Sequence, residues 1–560
     1  MTQNSAQAEP GNQAPGQEEA AQKNNEKHSV VVSAVIFALG TLLSRILGLI
    51  RDRMTAQYFP NDVRDAFFNA FRLPNFFRRI LGEGSLSIAF IPVFVEILSG
   101  KKSANQDEAQ LRAKRLVGAV FSLLLSITVT LSLLATIYMD EIMRFILSGE
   151  SYLSVPGKLE LTVRLGRIMF WFLALVSLYA FFMAILNSLK KFAMTALAPC
   201  FFNLAMITAA WMSPHLAVPE ETLAWAVLVG GVLQMLVLVP SVIKAGYFPR
   251  PNFAWRSSDV SRIFKIIIPS LFGMSIMQIT SVVNMHFTSQ LQSGAQSYLY
   301  LADRILELPL SLFVVSVGSA LLPTLATFWA RGERQAMSET MSHYLKLILF
   351  IAVPASMGMF MLAQPIVEVL YMGREFRAED ALATAGVIRV YSVTVLIAAG
   401  VRLLAQGFYA IQNTWFPTLS AGIALASHLI FAFILTNHFG LTGLAAAGVL
   451  SGTVNLVWLA IGYHRWIGGL HIRGFLWSFV QFLFCGIVMA AWLMVHDQLA
   501  NVLGHRLLIQ ASVLLFMVFT GAAVYMAMAY WLKIPECRET ASIFLHKLQN
   551  KMKSKKKARA

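Results

Sequence analysis

The sequence predicts an all-α membrane protein that crosses the bilayer fourteen times. Its composition carries the first part of this prediction, because 57% of the 560 residues are hydrophobic and only 13% are charged, against about 25% charged residues in soluble chains. The apolar residues lie in runs of roughly 20, the length that a helix needs to span a bilayer. A soluble multidomain protein is therefore excluded. The cysteines Cys200, Cys485 and Cys537 are too far apart for a disulfide framework or a metal motif.

Fourteen apolar runs define the predicted spans. In order, they are 30–57, 66–97, 112–139, 162–187, 193–213, 221–243, 264–289, 296–329, 343–371, 384–411, 417–437, 441–463, 474–495 and 508–533. Several exceed the required length, which indicates tilted or bent helices. Pro74 and Pro92 lie inside the second run, and Pro309 and Pro323 lie inside the eighth, so both spans are expected to bend.

Positive charge alternates between the loops that join these runs. Lysine and arginine cluster in the loops after spans two, four, six, eight and twelve, whereas the loops at 214–220, 290–295 and 438–440 contain neither residue. The basic loops are expected to be cytoplasmic by the positive-inside rule, and an even number of spans places both termini there. The basic residues behind the net charge of +16 are then expected to set the topology and to contact anionic lipids. Nucleic acid is not an expected partner.

A weak internal repeat predicts how the spans are organised. Segment 89–92 (AFIP) matches 320–323 (ALLP), segment 189–195 matches 412–418, and segment 226–234 matches 447–455, at similar offsets. A duplicated six-span unit would give two lobes related by a pseudo-two-fold axis along the membrane normal. The predicted division is a disordered cytoplasmic tail at 1–28, an N-terminal lobe at 29–245, a C-terminal lobe at 246–466, two further spans at 467–535 and a basic cytoplasmic tail at 536–560.

Charged residues occur inside the first, second and eighth runs, where a central arginine costs about 2.5–3.5 kcal/mol to insert. The basic members are Arg45, Arg51, Arg53, Arg72, Arg78, Arg79 and Arg304, and the acidic members are Asp52, Asp65, Glu83, Asp303 and Glu307. Seven against five leaves two uncompensated positive charges, which predicts an anionic substrate. Every basic member is arginine, whose planar fork of donors suits phosphate.

Helical spacing predicts which of these charges can meet. Arg79 and Glu83 are four residues apart, and Arg304 and Glu307 are three apart, so each pair can form within its own helix. Asp65, Arg72 and Arg79 would form one stripe if Pro74 did not interrupt it. The chain contains no phosphate-binding loop, no HExxH motif and no GxSxG motif, so we predict a transporter without a catalytic residue, a metal site or a cofactor.

These charged segments resemble a known family. Segments 44–52 (SRILGLIRD), 65–68 (DAFF), 72–84 (RLPNFFRRILGEG) and 302–304 (ADR) closely resemble the MurJ (MviN) family. Its members are bacterial lipid II flippases in the multidrug/oligosaccharidyl-lipid/polysaccharide exporter superfamily. Weaker matches at 321–323 (LLP), 373–376 (GREF) and 407–409 (GFY) extend the resemblance to about residues 30–530.

The resemblance implies a fold and an activity. Two six-span lobes would enclose a central cationic cavity, and the last two spans would form a groove for the lipid tail. The substrate would be lipid II, the undecaprenyl-pyrophosphate-linked peptidoglycan precursor, moved from the cytoplasmic to the periplasmic leaflet of the inner membrane by alternating access. Membrane lipids and cell-wall synthesis proteins are the expected partners, and membrane potential or a monovalent cation is the expected energy source.

The resemblance also assigns roles by motif position. The implied substrate-binding residues are Arg45, Arg51, Arg78 and Arg304. The implied supporting or gating residues are Ser44, Asp52, Asp65, Asn75, Arg79, Glu83, Asp303 and Glu307. Asp52, Asp65 and Glu83 would either orient the arginines or close the periplasmic gate.

Three alternatives remain open at this point. A flippase for another lipid-linked oligosaccharide would use the same arginines. A cation-coupled multidrug antiporter of the same superfamily should carry an acidic cavity, which is opposite to the charge count. A membrane scaffold for cell-wall enzymes would have no need of buried arginines.

Overall fold

The computed structural model describes residues 39–80, 86–100, 105–310, 315–503 and 506–540. Helices joined by short loops make up these residues, and no strand occurs among them. The predicted tail at 1–28 and the site residue Glu83 lie outside the described residues, as does the basic tail beyond residue 540.

The helices follow the predicted spans closely. The first half contains α1 (39–58), α2 (Asn61–Phe77), α3 (Leu86–Leu98), α4 (Gln106–Ile137), α5 (Met139–Ile146), α6 (Glu150–Leu153), α7 (Lys158–Met169), α8 (Phe172–Ser188), α9 (Ala193–Met212), α10 (Thr222–Leu236) and α11 (Val239–Lys244). The second half contains α12 (Ser258–Ser289), α13 (Ala295–Pro309), α14 (Val315–Ala330), α15 (Arg334–Met361), α16 (Ala363–Tyr371), α17 (Ala378–Ala410) and α18 (Trp415–Trp466). The last helices are α19 (Ile472–Leu493), α20 (His496–Leu503) and α21 (Leu507–Trp531).

Many of these helices have the length and composition of membrane spans. Within the described residues, nine helical stretches are long and apolar enough to cross a bilayer. They are Gln106–Ile137, Lys158–Ser188, Ala193–His215, Pro219–Lys244, Arg334–Met361, Ala378–Ala410, Trp415–Trp466, Arg473–Ala500 and Leu507–Trp531. The shorter apolar helices Ala89–Leu98 and Leu321–Ala330 fall in the predicted spans two and eight. The predicted all-α membrane class is confirmed, and the count of fourteen spans stays a prediction.

The two proline-containing spans are each described as two helical stretches, because residues 81–85 and 311–314 lie outside the described residues. In span two, α2 contains Pro74, residues 78–80 continue as a π-helical turn, and α3 begins again at Leu86. In span eight, α13 ends at Pro309 and α14 begins at Val315. The bends stay a prediction. The π-helical turn at 78–80 lies in the part of the chain that carries the charged residues, and π-turns are common at functional sites.

A glycine divides the longest helix into two legs. The 52 residues of α18 would extend about 78 Å if straight, which is well beyond one bilayer thickness. Gly440 has φ 57° and ψ −133°, a conformation that other residues rarely adopt. The first leg (415–439) and the second leg (441–466) therefore correspond to the predicted spans eleven and twelve.

Replacing Gly440 by alanine is expected to destabilise the protein by about 1–3 kcal/mol, because a Cβ atom strains this backbone conformation. The measurement is the midpoint of thermal unfolding in detergent. Gly448→Ala is the matched control in the same helix, since a Cβ added there meets nothing within 4 Å. Equal midpoints for the two variants would contradict this role of Gly440.

The hydrophobic core consists of clusters that follow the order of the chain. Two clusters are built mainly from residues 59–242, and a third is built mainly from residues 287–467. A fourth joins α15 and α16 to the last helices. Val260, Ile263 and Met285 of α12 belong to the clusters of the first half. Helix α12, predicted as the first span of the second lobe, thus packs against both halves.

Candidate functional site

The carboxylate of Asp52 joins an arginine from each half of the chain. Asp52 lies near the end of α1, where Nη2 and Nε of Arg51 are 2.7 Å and 2.9 Å from its Oδ1 atom. Nε of Arg304, on α13, is 3.3 Å from the Oδ2 atom of Asp52. Arg51 and Asp52 point about 100° apart around the helix, and the long arginine side chain folds back to bridge that angle.

Further ion pairs continue from Arg304 along α13. Nη1 of Arg304 lies 3.1 Å from Oε2 of Glu307, and Oε1 of Glu307 lies 3.6 Å from Nη2 of Arg79. The result is a chain of alternating charge, Arg51–Asp52–Arg304–Glu307–Arg79, which we call the charge chain. Its three guanidinium groups and two carboxylates leave one formal positive charge.

Solvent exposure increases along the charge chain. The side chains of Asp52 and Arg51 are 4% and 10% exposed, whereas those of Arg304, Arg79 and Glu307 are 32%, 36% and 51% exposed. Asp52 is six residues from the end of α1, about 9 Å of helix, and Arg79 is eighteen residues beyond the start of α2, about 27 Å. The charges therefore become more accessible with distance from the α1–α2 connection.

Two uncharged side chains hold Arg51 and Arg304 in place. The hydroxyl of Tyr300 accepts hydrogen bonds from Nη2 of Arg304 at 3.1 Å and from Nη2 of Arg51 at 3.4 Å. Oδ1 of Asn203, on α9, accepts from Nη1 of Arg51 at 3.1 Å. The amide of Asn203 donates to the backbone oxygen of Ser44 at 2.9 Å, which fixes α1 against α9.

Replacing Tyr300 by phenylalanine is expected to lower the free energy of unfolding by about 1–2 kcal/mol, because two guanidinium groups lose a partly buried acceptor. Thermal unfolding in detergent measures this change. Tyr409→Phe is the control, since Tyr409 is exposed on α17. An unchanged unfolding temperature for Tyr300→Phe would show that its hydroxyl does not stabilise the charge chain.

The remaining predicted residues of this region lie around the charge chain. Arg45 is exposed on α1, seven residues or about two helical turns before Asp52. Oδ1 of Asn75 accepts from Nε of Arg78 at 2.7 Å, at the point where α2 passes into the π-helical turn. Asp303 lies within electrostatic range of Arg72, Arg79 and Arg304. The structure thus brings most of the predicted charged residues into one region.

Asp65 lies apart from this region, at the contact between α2 and α13. Its Oδ2 atom accepts from the backbone nitrogen of Gly294 at 2.7 Å, and its Oδ1 atom accepts from the nitrogen and hydroxyl of Ser297 at 3.0 Å and 2.7 Å. These donors form the N-terminus of α13, where a negative charge is stabilised by unpaired N–H groups and the helix dipole. Asp65 therefore connects the two halves, because it accepts these hydrogen bonds from the start of α13, and it acts on Arg64 electrostatically.

A buried lysine completes this contact. Nζ of Lys158, at the start of α7, lies 3.2 Å from Oδ2 of Asp65, 2.9 Å from Oδ1 of Asp62 and 3.0 Å from the hydroxyl of Ser293. Lys158 is only 3% exposed. A buried ammonium group needs such compensation, because isolated burial of a charge is costly.

A second polar contact between the halves lies beside the first. Arg64 is fully buried, donates to the side chain of Asn61 and lies 3.8 Å from Asp380 of α17. The hydroxyl of Tyr298 and the amide of Asn61 both donate to Oδ1 of Asp380. We call the two contacts together the closing network, comprising Asn61, Asp62, Arg64, Asp65, Lys158, Ser293, Gly294, Ser297, Tyr298 and Asp380.

Several of these residues were not predicted from the sequence. Arg64 and Lys158 stand in loops of mixed charge, where nothing signals burial. Arg402 is different, because it lies inside the apolar run 384–411 just as Arg45 lies inside the first run. The structure places Arg402 on α17, exposed and within electrostatic range of Glu307. Extending the charge count to every apolar run would have found it.

Comparison with known proteins identifies the family. A sequence profile described as "Lipid II flippase MurJ" matches residues 55–513. A probable lipid II flippase MurJ of Bdellovibrio bacteriovorus is 39% identical over 513 residues, which cover 91% of this chain and 96% of the relative. The lipid II flippase MurJ of Burkholderia cenocepacia is 32% identical over 462 residues, covering 80% and 87% of the two chains.

Solved structures agree on the fold. The structure described as "Lipid II flippase MurJ, inward closed conformation" superposes with a TM-score of 0.70 at 24% identity, over 88% of this chain and 99% of that one. An inward-facing multidrug resistance transporter of the MATE family superposes with a TM-score of 0.61 at 14% identity, over 80% and 98% of the two chains. On the evidence of the profile and of these relatives, the chain belongs to the MurJ family of lipid II flippases, which are transporters rather than catalytic enzymes.

Proposed function

We propose that this protein moves lipid II from the cytoplasmic to the periplasmic leaflet of the bacterial inner membrane by alternating access. The observation that carries the proposal is the charge chain, which crosses from α1 to α13 and becomes more exposed toward Arg79 and Glu307. Charged side chains that are accessible inside a helical membrane protein favour a cavity for a charged ligand.

The chemistry of the charge chain favours a pyrophosphate ligand. Arg51, Arg304 and Arg79 outnumber the two carboxylates, and the exposed Arg45 and Arg402 add positive charge nearby. A pyrophosphate would replace the carboxylate of Glu307 on the exposed side of Arg304, since guanidinium forks bind phosphate oxygens bidentately. In this proposal Arg45, Arg51, Arg78 and Arg304 bind the headgroup, while Ser44, Asp52, Asn75, Arg79, Asp303 and Glu307 position them.

The closing network supports the direction of access. Its buried hydrogen bonds and ion pairs tie the halves together at the end where α1 meets α2 and α12 meets α13. The loops at this end include 290–295, which lacks lysine and arginine, so we assign this end to the periplasm. The cavity would then receive the headgroup from the cytoplasm, with both termini on that side and the lipid tail in the bilayer.

The proposed cycle follows from charge compensation. Binding of the anionic headgroup neutralises arginines whose ion pairs in the charge chain, with Asp52 and Glu307, leave one positive charge uncompensated. A neutralised cavity can be enclosed at lower cost than a charged one. The two predicted lobes, 29–245 and 246–466, could then rock about α12 so that the closing network separates and the headgroup leaves on the periplasmic side. No covalent step is required.

Complementation of a bacterium depleted of its own lipid II flippase tests the proposal. We expect the parent chain to restore growth and cell shape, and the Arg51→Ala variant to fail although it reaches the membrane in normal amount. Restoration of O-antigen export alone, in a strain that lacks only that flippase, would show instead that the substrate is another lipid-linked oligosaccharide.

A further inference from the structure

A buried tyrosine beside the charge chain has an unpaired hydroxyl. Tyr371, the last residue of α16, is fully buried, and its hydroxyl forms no hydrogen bond with any residue that the structure describes. Burying a hydroxyl without a partner costs free energy, so such a group in a folded protein needs an explanation. The ion pairs of the charge chain and the contacts of the closing network do not use this hydroxyl.

Arg53 fixes the end of α16 against α1, directly after Asp52. Its Nη1 atom donates to the backbone oxygens of the two residues that precede Tyr371, at 2.5 Å and 3.0 Å. These carbonyls belong to the last turn of α16, where such groups have no partner within the helix. The contact places Tyr371 at the buried end of the charge chain, and its hydroxyl lies within electrostatic range of Asp52 and Arg304.

The carboxylate of Asp52 is held unevenly by its two arginines. Both hydrogen bonds that it accepts from Arg51 end on its Oδ1 atom. Nε of Arg304 lies 3.3 Å from Oδ2, but this nitrogen is itself a buried donor without a hydrogen bond among the described residues. The ion pair therefore lacks hydrogen-bond geometry, and Oδ2 can accept from another donor.

Binding of a pyrophosphate would weaken this ion pair. In the proposed function Arg304 turns its more exposed Nη atoms toward the headgroup, which draws the guanidinium away from Asp52. The side chain of Asp52 is only 4% exposed, so the loss of one of its two cations without a substitute is costly. A hydroxyl that donates to a carboxylate forms a strong, charge-assisted hydrogen bond. Tyr371 supplies such a hydroxyl, which breaks no bond within the described part of the chain when it turns to Asp52.

The ring of Tyr371 also contacts the closing network. Its centroid lies 6.1 Å from the ring centroid of Phe376, which is fully buried. The ring of Phe376 covers the guanidinium of Arg64 at 4.9 Å and meets the ring of Tyr298 edge-on at 6.4 Å. Close-packed side chains transmit displacements to their neighbours. A movement of Tyr371 toward Asp52 therefore changes the packing around Arg64 and Tyr298.

We propose that Tyr371 is a positioning residue that links headgroup binding to the closing network. When Arg304 turns to the pyrophosphate, the hydroxyl of Tyr371 donates to Oδ2 of Asp52, and its ring moves relative to Phe376. This proposal rests on the proposed flippase function. The hydroxyl is unpaired while Arg304 holds Asp52 and paired after Arg304 turns away. It thus contributes a difference in free energy between the two arrangements, which a ligand needs to shift a conformational equilibrium.

The first test measures affinity and stability separately. Purified parent, Tyr371→Phe and Tyr463→Phe proteins would be titrated with undecaprenyl pyrophosphate, and their thermal unfolding would be recorded without lipid. Tyr463 is the matched control, because its buried hydroxyl on the second leg of α18 also has no hydrogen bond among the described residues. We expect Tyr371→Phe to bind about tenfold more weakly, the value of one hydrogen bond to a charged group. Its unfolding temperature should not fall, and Tyr463→Phe should bind like the parent.

Each contrary result has a distinct meaning. Equal affinities of the parent and Tyr371→Phe overturn the proposal. A lower unfolding temperature of lipid-free Tyr371→Phe would show that the hydroxyl already has a partner before the headgroup binds, and this result also overturns the proposal. If the parent does not bind the lipid, the proposed function fails, and the proposal fails with it.

The second test measures the link to the closing network. Spin labels at the exposed positions 160 and 379, one on each half, would report the distance between the halves with and without saturating undecaprenyl pyrophosphate. We expect the lipid to lengthen this distance in the parent and in Tyr463→Phe, and to lengthen it less in Tyr371→Phe. Equal lengthening in all three proteins overturns the link, whereas no lengthening in the parent contradicts the proposed alternating access itself.

Discussion

Replacing Arg304 by alanine is expected to reduce lipid II translocation in proteoliposomes by about 100-fold or more. The change removes the group that contacts Asp52 at 3.3 Å and Glu307 at 3.1 Å, and with it two charge-assisted bonds of about 1.5–3 kcal/mol each to the headgroup. Arg304→Lys should lose about tenfold, because it keeps the charge without the planar fork. The measurement is the rate at which fluorescent lipid II becomes accessible on the opposite leaflet.

Arg144→Ala is the matched control for this experiment. Arg144 is more than half exposed and pairs with Asp140 one turn earlier at 2.7 Å, an arrangement that contributes at most about 1 kcal/mol. We expect its translocation rate to stay within about twofold of the parent. Parental transport by a folded Arg304→Ala protein would remove this arginine from the binding site.

Replacing Lys158 by methionine is expected to open the periplasmic end. The substitution leaves the buried Asp65 without its cation, and breaking such a pair costs about 3–5 kcal/mol. Since Asp65 also holds the N-terminus of α13, we expect the halves to separate there. Spin labels at the exposed positions 160 and 379, one on each half, should report a longer distance in pulsed electron resonance than in the parent.

Arg164→Met provides the control on the same helix. Arg164 is 54% exposed and pairs with Glu221 at 2.8 Å within the first half, so its loss should leave the distance between the labels unchanged. A Lys158→Met protein that keeps the parental distance, while still unfolding at a similar temperature, would show that this lysine does not hold the periplasmic end closed.

The sequence predicted interactions within one helix better than interactions between helices. The pair of Arg304 and Glu307 was expected from a spacing of three residues and is found at 3.1 Å. The stripe that an uninterrupted helix would give to Asp65, Arg72 and Arg79 is divided among three environments. Arg79 meets Glu307, Arg72 faces Asp303, and Asp65 binds the start of α13. Helical spacing fixes which side chains share a face, but the partner on that face depends on tertiary packing.

Buried polar residues outside the charged motifs were the hardest to predict. Lys158 follows a glycine in a loop of mixed charge, and it becomes buried only because α2 and the α12–α13 connection converge on it. Tyr300 and Asn203 lie in apolar runs, and nothing in the sequence indicates a polar contact for either. The structure shows that Arg51 donates a hydrogen bond to each of them. Arg402 could have been predicted, since an arginine inside an apolar run, which here also contains Arg389, is itself the signal.

Competition binding tests the central claim most directly, which is that the arginines of the charge chain recognise a lipid pyrophosphate. Purified parent protein would be loaded with fluorescent lipid II and titrated with undecaprenyl pyrophosphate or with undecaprenol, which has the same tail and no phosphate. We predict displacement by the pyrophosphate and none by the alcohol, with the pyrophosphate effect lost in Arg304→Ala. Equal displacement by both lipids, or an unchanged effect in the variant, would contradict the account.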